Sequence, residues 1–146
     1  MLCAILTYLL PKSAPSLLVG YVSAFSTKLS DTVASEIGKA FGKNTYLITT
    51  MKLVPRGTEG AVSAEGTLAG IVASIIIAAL GVFLHLVNLE GAGCAVVAAL
   101  IATTIESYIG AVFQDDVPWL SNELVNLINT IIGAAAGVLL YSIIGR

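Results

Sequence analysis

The sequence predicts an all-α fold: a polytopic transmembrane helix bundle of about four spanning helices plus a short N-terminal apolar segment. Three observations predict it. Of 146 residues, 57% are hydrophobic and 11% charged, with a mean hydropathy of +0.95. A soluble domain carries roughly 25% charged residues, so this chain lacks the polar surface to cover a globule in water. Three apolar stretches also reach the ~20 residues that cross a hydrocarbon core: Thr67 to Leu89, Ala92 to Gln114 and Asn122 to Ile144. Finally, Lys12, Lys28, Lys39, Lys43, Lys52 and Arg56 all precede Gly57, and the next base is Arg146. Soluble enzymes, disordered tails and basic nucleic-acid binders are poor fits. The formal charge of -2 argues against a nucleic-acid partner.

Each element follows in order, within one integral membrane domain over residues 1–146. Met1 to Leu10 is apolar but too short to cross, and Pro11 and Pro15 end it. It has neither the basic n-region nor the small-residue cleavage site of a signal peptide. It reads as the remnant of a longer first helix, and the chain as a fragment of a longer membrane protein. Ser16 to Ile37 is a weaker spanning candidate, since it contains Lys28, Asp31 and Glu36. A polar loop, Gly38 to Gly66, then carries Lys39, Lys43, Lys52 and Arg56 among several glycines. The positive-inside rule puts this loop on the cytoplasmic side or its organellar equivalent. Cys3 and Cys94 are far apart in apolar surroundings and read as filler rather than a disulfide or metal pair.

Counting crossings from the basic loop returns Gln114, Asp115, Asp116 and the start of the last helix to the loop's own side. Asp31 and Glu36 are already there. Glu90 and His85 fall on the far side, where His85 reads as structural. Ionisable groups at the centre of a spanning helix cost ~2.5 to 3.5 kcal/mol, so they face a cavity or a partner. Thr103, Glu106, Ser107, Gly110 and Gln114 share one helical face, and Asn122, Asn126, Asn129, Gly133 and Gly137 share another, with Glu123 and Thr130 at its edges. Asp31, Ser35, Gly38 and Gly42 align in the weaker helix. Small and amide stripes are also ordinary packing between membrane helices, and Lys28 and Asp31 at i, i+3 could neutralise one another. Glu106 stands out because neither strong helix beside it carries a base.

A basic, glycine-rich loop facing acidic helix ends suits phosphoryl transfer. Lys and Arg neutralise phosphate, and carboxylates hold the Mg²⁺ that bridges its oxygens. The P-loop test fails, because Gly38 to Gly42 encloses three residues and Asn44 follows Lys43 where Ser or Thr is needed.

The run Asp31-Thr-Val-Ala-Ser-Glu-Ile-Gly-Lys-Ala-Phe-Gly-Lys43, followed by Glu65 to Gly70, resembles the signature of CTP-dependent polyprenol kinases. The nearer resemblance is to the family of transmembrane protein 19 and the phytyl-phosphate kinase of vitamin E synthesis. Its marks are Asp-Thr-x-Ala-Ser-Glu at Asp31 to Glu36, Pro-Arg-Gly-Thr-Glu-Gly-Ala-Val-Ser at Pro55 to Ser63, and Asn-Glu-Leu-Val-Asn-x-x-Asn-Thr at Asn122 to Thr130. The resemblance runs from about Ser23 to the C-terminus.

It implies a membrane kinase that moves a phosphoryl group from CTP or another nucleoside triphosphate to an isoprenoid (phytyl) monophosphate, giving the diphosphate. The expected catalytic residues are Asp31, Glu36, Glu106 and Glu123, with Asp31, Glu106 and Glu123 holding Mg²⁺. Lys39, Lys43, Lys52, Arg56, Gly57, Gly60 and Gly66 would bind nucleotide and phosphate, and Ser35, Gln114, Asn122, Asn126 and Asn129 would form the polar helix face. The partners would be the lipid bilayer, the isoprenoid phosphate and the nucleotide, with no nucleic acid. A plant member would sit in a chloroplast membrane, and others in cytoplasmic or endomembranes. Two other readings remain open: a small-solute or ion transporter with Glu106 lining the path, and an inactive truncated membrane subunit.

Overall fold

The computed structural model describes residues 2–114 and 121–144. An eight-residue helix, α1 (Leu2–Leu9), and a 3₁₀ turn at Pro11–Ser13 lead into α2 (Ala14–Phe41). A small antiparallel hairpin follows, β1 (Thr45–Leu47) with β2 (Ala61–Ser63), and then α3 (Ala64–Phe83), α4 (Leu89–Ile109) and α5 (Asn122–Ile144). A π-helical turn, Gly110–Gln114, extends α4. The fold is an all-α bundle with one two-stranded accessory.

Local chemistry sets the boundaries. Ser63 caps α3 by accepting a 3.1 Å hydrogen bond from the Gly66 amide, so the helix starts at Ala64 rather than Thr67. Asn88 does the same for α4 through Gly91 at 2.8 Å, which moves that start to Leu89. Each such cap contributes roughly 1 kcal/mol. Between these helices the chain turns through His85, whose φ of 56° is left-handed. Residues 38–66 depart most from expectation. Instead of an open loop, α2 continues to Phe41, and the chain then pairs Thr45 with Ser63 and Leu47 with Ala61. Ile48–Gly60 forms the connection between the strands.

Among the described residues, three helices are long and apolar enough to cross a membrane: Ala64–Phe83, Leu89–Phe113 and Glu123–Ile144. α2 is the most polar of the long helices yet lies at the centre, touching α1, α3, α4 and α5. Its 28 residues span about 42 Å, longer than a hydrocarbon core. The burial pattern is that of a membrane protein. Small and polar side chains are inside, including Ser23, Ser26, Thr27 and Ser30 of α2, Ser74 of α3 and Ala95, Ala98 and Ala99 of α4. Large apolar ones face outward, among them Leu68, Ile76, Phe83, Ile101, Leu127, Ile131 and Leu139. Without water to drive helices together, close backbone approach through small residues does so. On α5, a Cβ at Gly133 would collide with Thr27 and one at Gly137 with Ser23. On α3, one at Gly70 would stand 3.0 Å from the Ser30 carbonyl.

These contacts make α2 antiparallel to α3 and α5 and parallel to α4. The C-terminal end of α2, the start of α3, the end of α4 and the start of α5 therefore share one end of the bundle. His85 lies at the other, beside Pro15 and Tyr141.

Candidate functional site

A cavity of about 340 Å³ opens at the shared end, walled by α2, α3, α4, the start of α5 and the hairpin. Two carboxyl groups meet there. Asp31, nearly three turns before the end of α2, and Glu106, about one turn before the end of α4, lie close enough for each carboxyl group to act on the other. Two carboxyl groups in contact need a proton or a cation between them. The nearest bases come from α2 itself. Lys28 is close enough to act electrostatically on both Asp31 and Glu106, and Lys39 acts on Asp31. Lys28 acts on Asp31 as the i, i+3 spacing suggested, but its hydrogen bond goes elsewhere. Its Nζ reaches across to α5 and donates a 2.6 Å hydrogen bond to Asn126 Oδ1. The base that Glu106 lacks on its own helix is thus supplied from the neighbouring one.

Of the residues the sequence singled out, Asp31, Ser35, Glu36, Lys39, Gly57, Gly60, Gly66, Glu106 and Asn126 all line this cavity. Glu36 is engaged with Lys39 in an exposed ion pair at 3.4 Å. Others lie elsewhere. Lys43, Lys52 and Arg56 are exposed and do not line it, because the hairpin carries them outward. Arg56 instead donates to the Ala40 carbonyl at 3.3 Å. Glu123 is exposed in the first turn of α5 and does not line the cavity; that helix is capped by Ser121, whose Oγ accepts from the Leu124 amide at 3.4 Å. Asn129 is 2% exposed and sits in the bundle's interior, its Oδ1 without a partner. Asp115 and Asp116 lie outside the described residues, as do the side chains of Gln114 and Asn122.

Among the cavity residues that escaped the sequence reading as site residues, three stand out. Lys28 was visible only as a local counter-ion to Asp31. Glu59, on the hairpin connection, acts electrostatically on Glu106. Its signal was its position between Gly57 and Gly60, both at positive φ. Gly60 is also pressed against α4, since a Cβ there would overlap Ala111 and the Ser107 carbonyl. Thr45 is 6% exposed, lines the cavity and has no hydrogen-bond partner for its Oγ1. No spacing pattern pointed to it, because its pairing with Ser63 spans the whole connection.

Among the described residues, no three carboxylate, histidine or cysteine groups converge tightly enough to cage an ion. The Asp31–Glu106 pair fits a looser arrangement. Mg²⁺ is ordinarily held by one or two carboxylates, with water and phosphate oxygens filling the other positions.

Comparison with known proteins places the chain. Residues 1–134 match the integral membrane protein family DUF92. The chain belongs to this family. It is 59% identical over 122 residues to an uncharacterized membrane protein of Synechocystis sp., covering 84% of this chain and 47% of that one. It is 53% identical over 128 residues to Protein VTE6, chloroplastic, of Arabidopsis thaliana, covering 86% and 38%. An uncharacterized membrane protein of Methanocaldococcus jannaschii is 37% identical over 124 residues, covering 85% and 51%. The chain therefore spans about half the length, or less, of these relatives. No solved structure matches it. The DUF92 family assignment agrees with the resemblance carried by the three motifs, and the protein is an integral, multi-pass membrane protein.

Proposed function

We propose that this DUF92 protein is a membrane phosphotransferase, moving the terminal phosphoryl group of a nucleoside triphosphate to an isoprenoid monophosphate. The observation that carries the reading is the meeting of Asp31 and Glu106, from α2 and α4, in a cavity at one end of the bundle with Lys28 and Lys39 beside them. Relatedness to VTE6 and the motif resemblance to phytyl-phosphate kinases support the choice of acceptor.

An oxygen of the acceptor phosphate attacks the terminal phosphorus of the donor. The bond from that phosphorus to its bridging oxygen breaks, and a nucleoside diphosphate leaves. The acceptor is already an anionic nucleophile, so lowering charge repulsion matters more than a strong base. Asp31 and Glu106 would hold Mg²⁺, which supplies charge neutralisation at the phosphate oxygens. Lys28 and Lys39 keep positive charge at the cavity, and Asn126 fixes where Lys28 points. The apolar outer faces of α3, α4 and α5 keep the prenyl chain in lipid while its phosphate reaches the membrane end of the bundle.

Membranes bearing the chain, given radiolabelled CTP or ATP and phytyl phosphate, should form the diphosphate, and Asp31→Ala should abolish it. Unchanged turnover in that variant would remove the site. Uptake of a solute into proteoliposomes that depends on Glu106 and consumes no nucleotide would replace the reading with a transporter.

A further inference from the structure

We propose that residues 41–56, from the end of α2 through the hairpin connection, form a docking surface for the headgroups of an anionic lipid leaflet. The inference goes beyond the phosphotransferase reading and does not depend on it.

It starts from three bases that the cavity leaves unused. Lys43, Lys52 and Arg56 are exposed and lie outside the cavity lining. From Lys39 to Thr58 the chain holds no acidic residue. Of the acids flanking this run, Glu36 is engaged with Lys39, and Glu59 lines the cavity. Among the described residues, no carboxylate pairs with Lys43, Lys52 or Arg56.

The same segment exposes large apolar side chains. Phe41, Met51 and Leu53 are 66%, 65% and 67% exposed, although they fall outside the three membrane-crossing helices. They are interleaved with the bases. Lys52 stands between Met51 and Leu53, and Lys43 lies two residues beyond Phe41. Arg56 reaches back to the Ala40 carbonyl, next to Phe41. Apolar groups set among Lys and Arg suit the headgroup region, where the former reach toward acyl chains and the latter meet phosphates.

Backbone bonds hold this surface in one shape. The Leu47 amide donates to the Lys52 carbonyl at 3.0 Å, and the Val54 amide to the Thr45 carbonyl at 2.9 Å. Leu53 thereby bridges to Tyr46. Met51 closes the turn, its amide donating to the Leu47 carbonyl at 2.8 Å and its φ of 53° left-handed. Glycine would adopt that conformation at lower cost. A large apolar side chain stands there instead, and it is mostly outside the protein's own packing.

Position supplies the partner. The segment is tethered where α2 ends at Phe41 and where the crossing helix α3 begins at Ala64, so it stays beside the bilayer. The positive-inside rule puts this end on the side whose leaflet carries anionic lipid. Each base near such a surface favours the docked state roughly fivefold, and three together about 100-fold.

The test uses the full chain in nanodiscs, with Cys3→Ser and Cys94→Ala removing the native thiols and Met51→Cys carrying an environment-sensitive fluorophore. Phosphatidylcholine discs are compared with discs of equal parts phosphatidylcholine and phosphatidylglycerol. In the anionic discs, the label should be about threefold or more less accessible to acrylamide in the water phase, and raising the salt should restore access. Lipids brominated on the acyl chain should quench it there. The triple variant Lys43→Gln, Lys52→Gln, Arg56→Gln should keep the thermal midpoint and lose the difference between the two lipids. Equal accessibility in the two discs overturns the proposal. So does a lipid difference that survives in the folded triple variant. Should the triple variant unfold, a lipid difference in the parent that is indifferent to salt overturns it equally. Protection by CTP in phosphatidylcholine discs, as strong as that given by phosphatidylglycerol, would assign the patch to a soluble phosphate instead. Protection that appears only with more than one chain per disc would assign it to a second copy. Either result replaces the lipid surface.

Discussion

Lys28 Nζ on α2 and Asn126 Oδ1 on α5 are joined by a 2.6 Å hydrogen bond across 98 positions of sequence. The bond aims the ammonium beside Asp31 and Glu106 and ties two helices at the mouth of the cavity. Replacing Asn126 with Leu is expected to cost about 1 kcal/mol of stability, since the pair is exposed, and to lower turnover by releasing Lys28. Asn126→Asp keeps an acceptor and should retain more activity than Asn126→Leu. Thermal unfolding in detergent and a phosphotransfer assay read the two effects separately.

The contact between Asp31 and Glu106 predicts strong non-additivity. Asp31→Asn and Glu106→Gln should each lower turnover by about 100-fold or more. The double variant should be little worse than either alone, because groups acting as one unit do not contribute independently. Single-turnover rates for the four proteins check this. Multiplicative losses would mean that the carboxyls work apart.

The α2–α5 seam depends on what is missing from Gly133 and Gly137. Gly133→Val should destabilise the bundle by roughly 1 to 3 kcal/mol or more, because its side chain would occupy the space of Thr27. Gly133→Ala should be milder, and adding Thr27→Ala should recover part of its loss. Thermal midpoints in nanodiscs measure both.

Gly57 and Gly60 should differ although both have positive φ, 84° and 70°. At Gly57 nothing lies within 4 Å of an added Cβ, so Gly57→Ala carries only the backbone cost of about 1 to 2 kcal/mol. Gly60→Ala adds a collision with Ala111 and Ser107, lifting the hairpin connection off α4. Trypsin cleavage after the exposed Arg56 should therefore accelerate far more in Gly60→Ala than in Gly57→Ala.

Much of this architecture is written in local patterns. Apolar run length marks α3, α4 and α5, and the start of α5 coincides with the expected Asn122. The shared end of the bundle follows from counting crossings, which is why Asp31, Glu106 and Asn126 meet as expected. What local pattern could not supply is pairing across distance. Lys28 reads as a neighbour of Asp31 along one helix, yet its bond runs to another. Thr45 meets Ser63 only because residues between them close into a hairpin, and loop closure leaves no periodic trace. Glu123 lies apart from the cavity for a related reason. An acidic residue in a first helical turn suits the helix dipole as well as it suits a metal, and only its placement in space separates the two.

The central position of the most polar helix has a consequence for biogenesis. α2 leaves the ribosome before α3, α4 and α5, the helices that shelter Ser23, Ser26, Thr27 and Asp31 from lipid. Alone, it offers the bilayer Lys28, Asp31, Glu36 and Lys39 in its second half, behind a largely apolar first half. Because the cavity is lined by residues of all four long helices and the hairpin, it comes into being only once α5, the last of them in the chain, is in place.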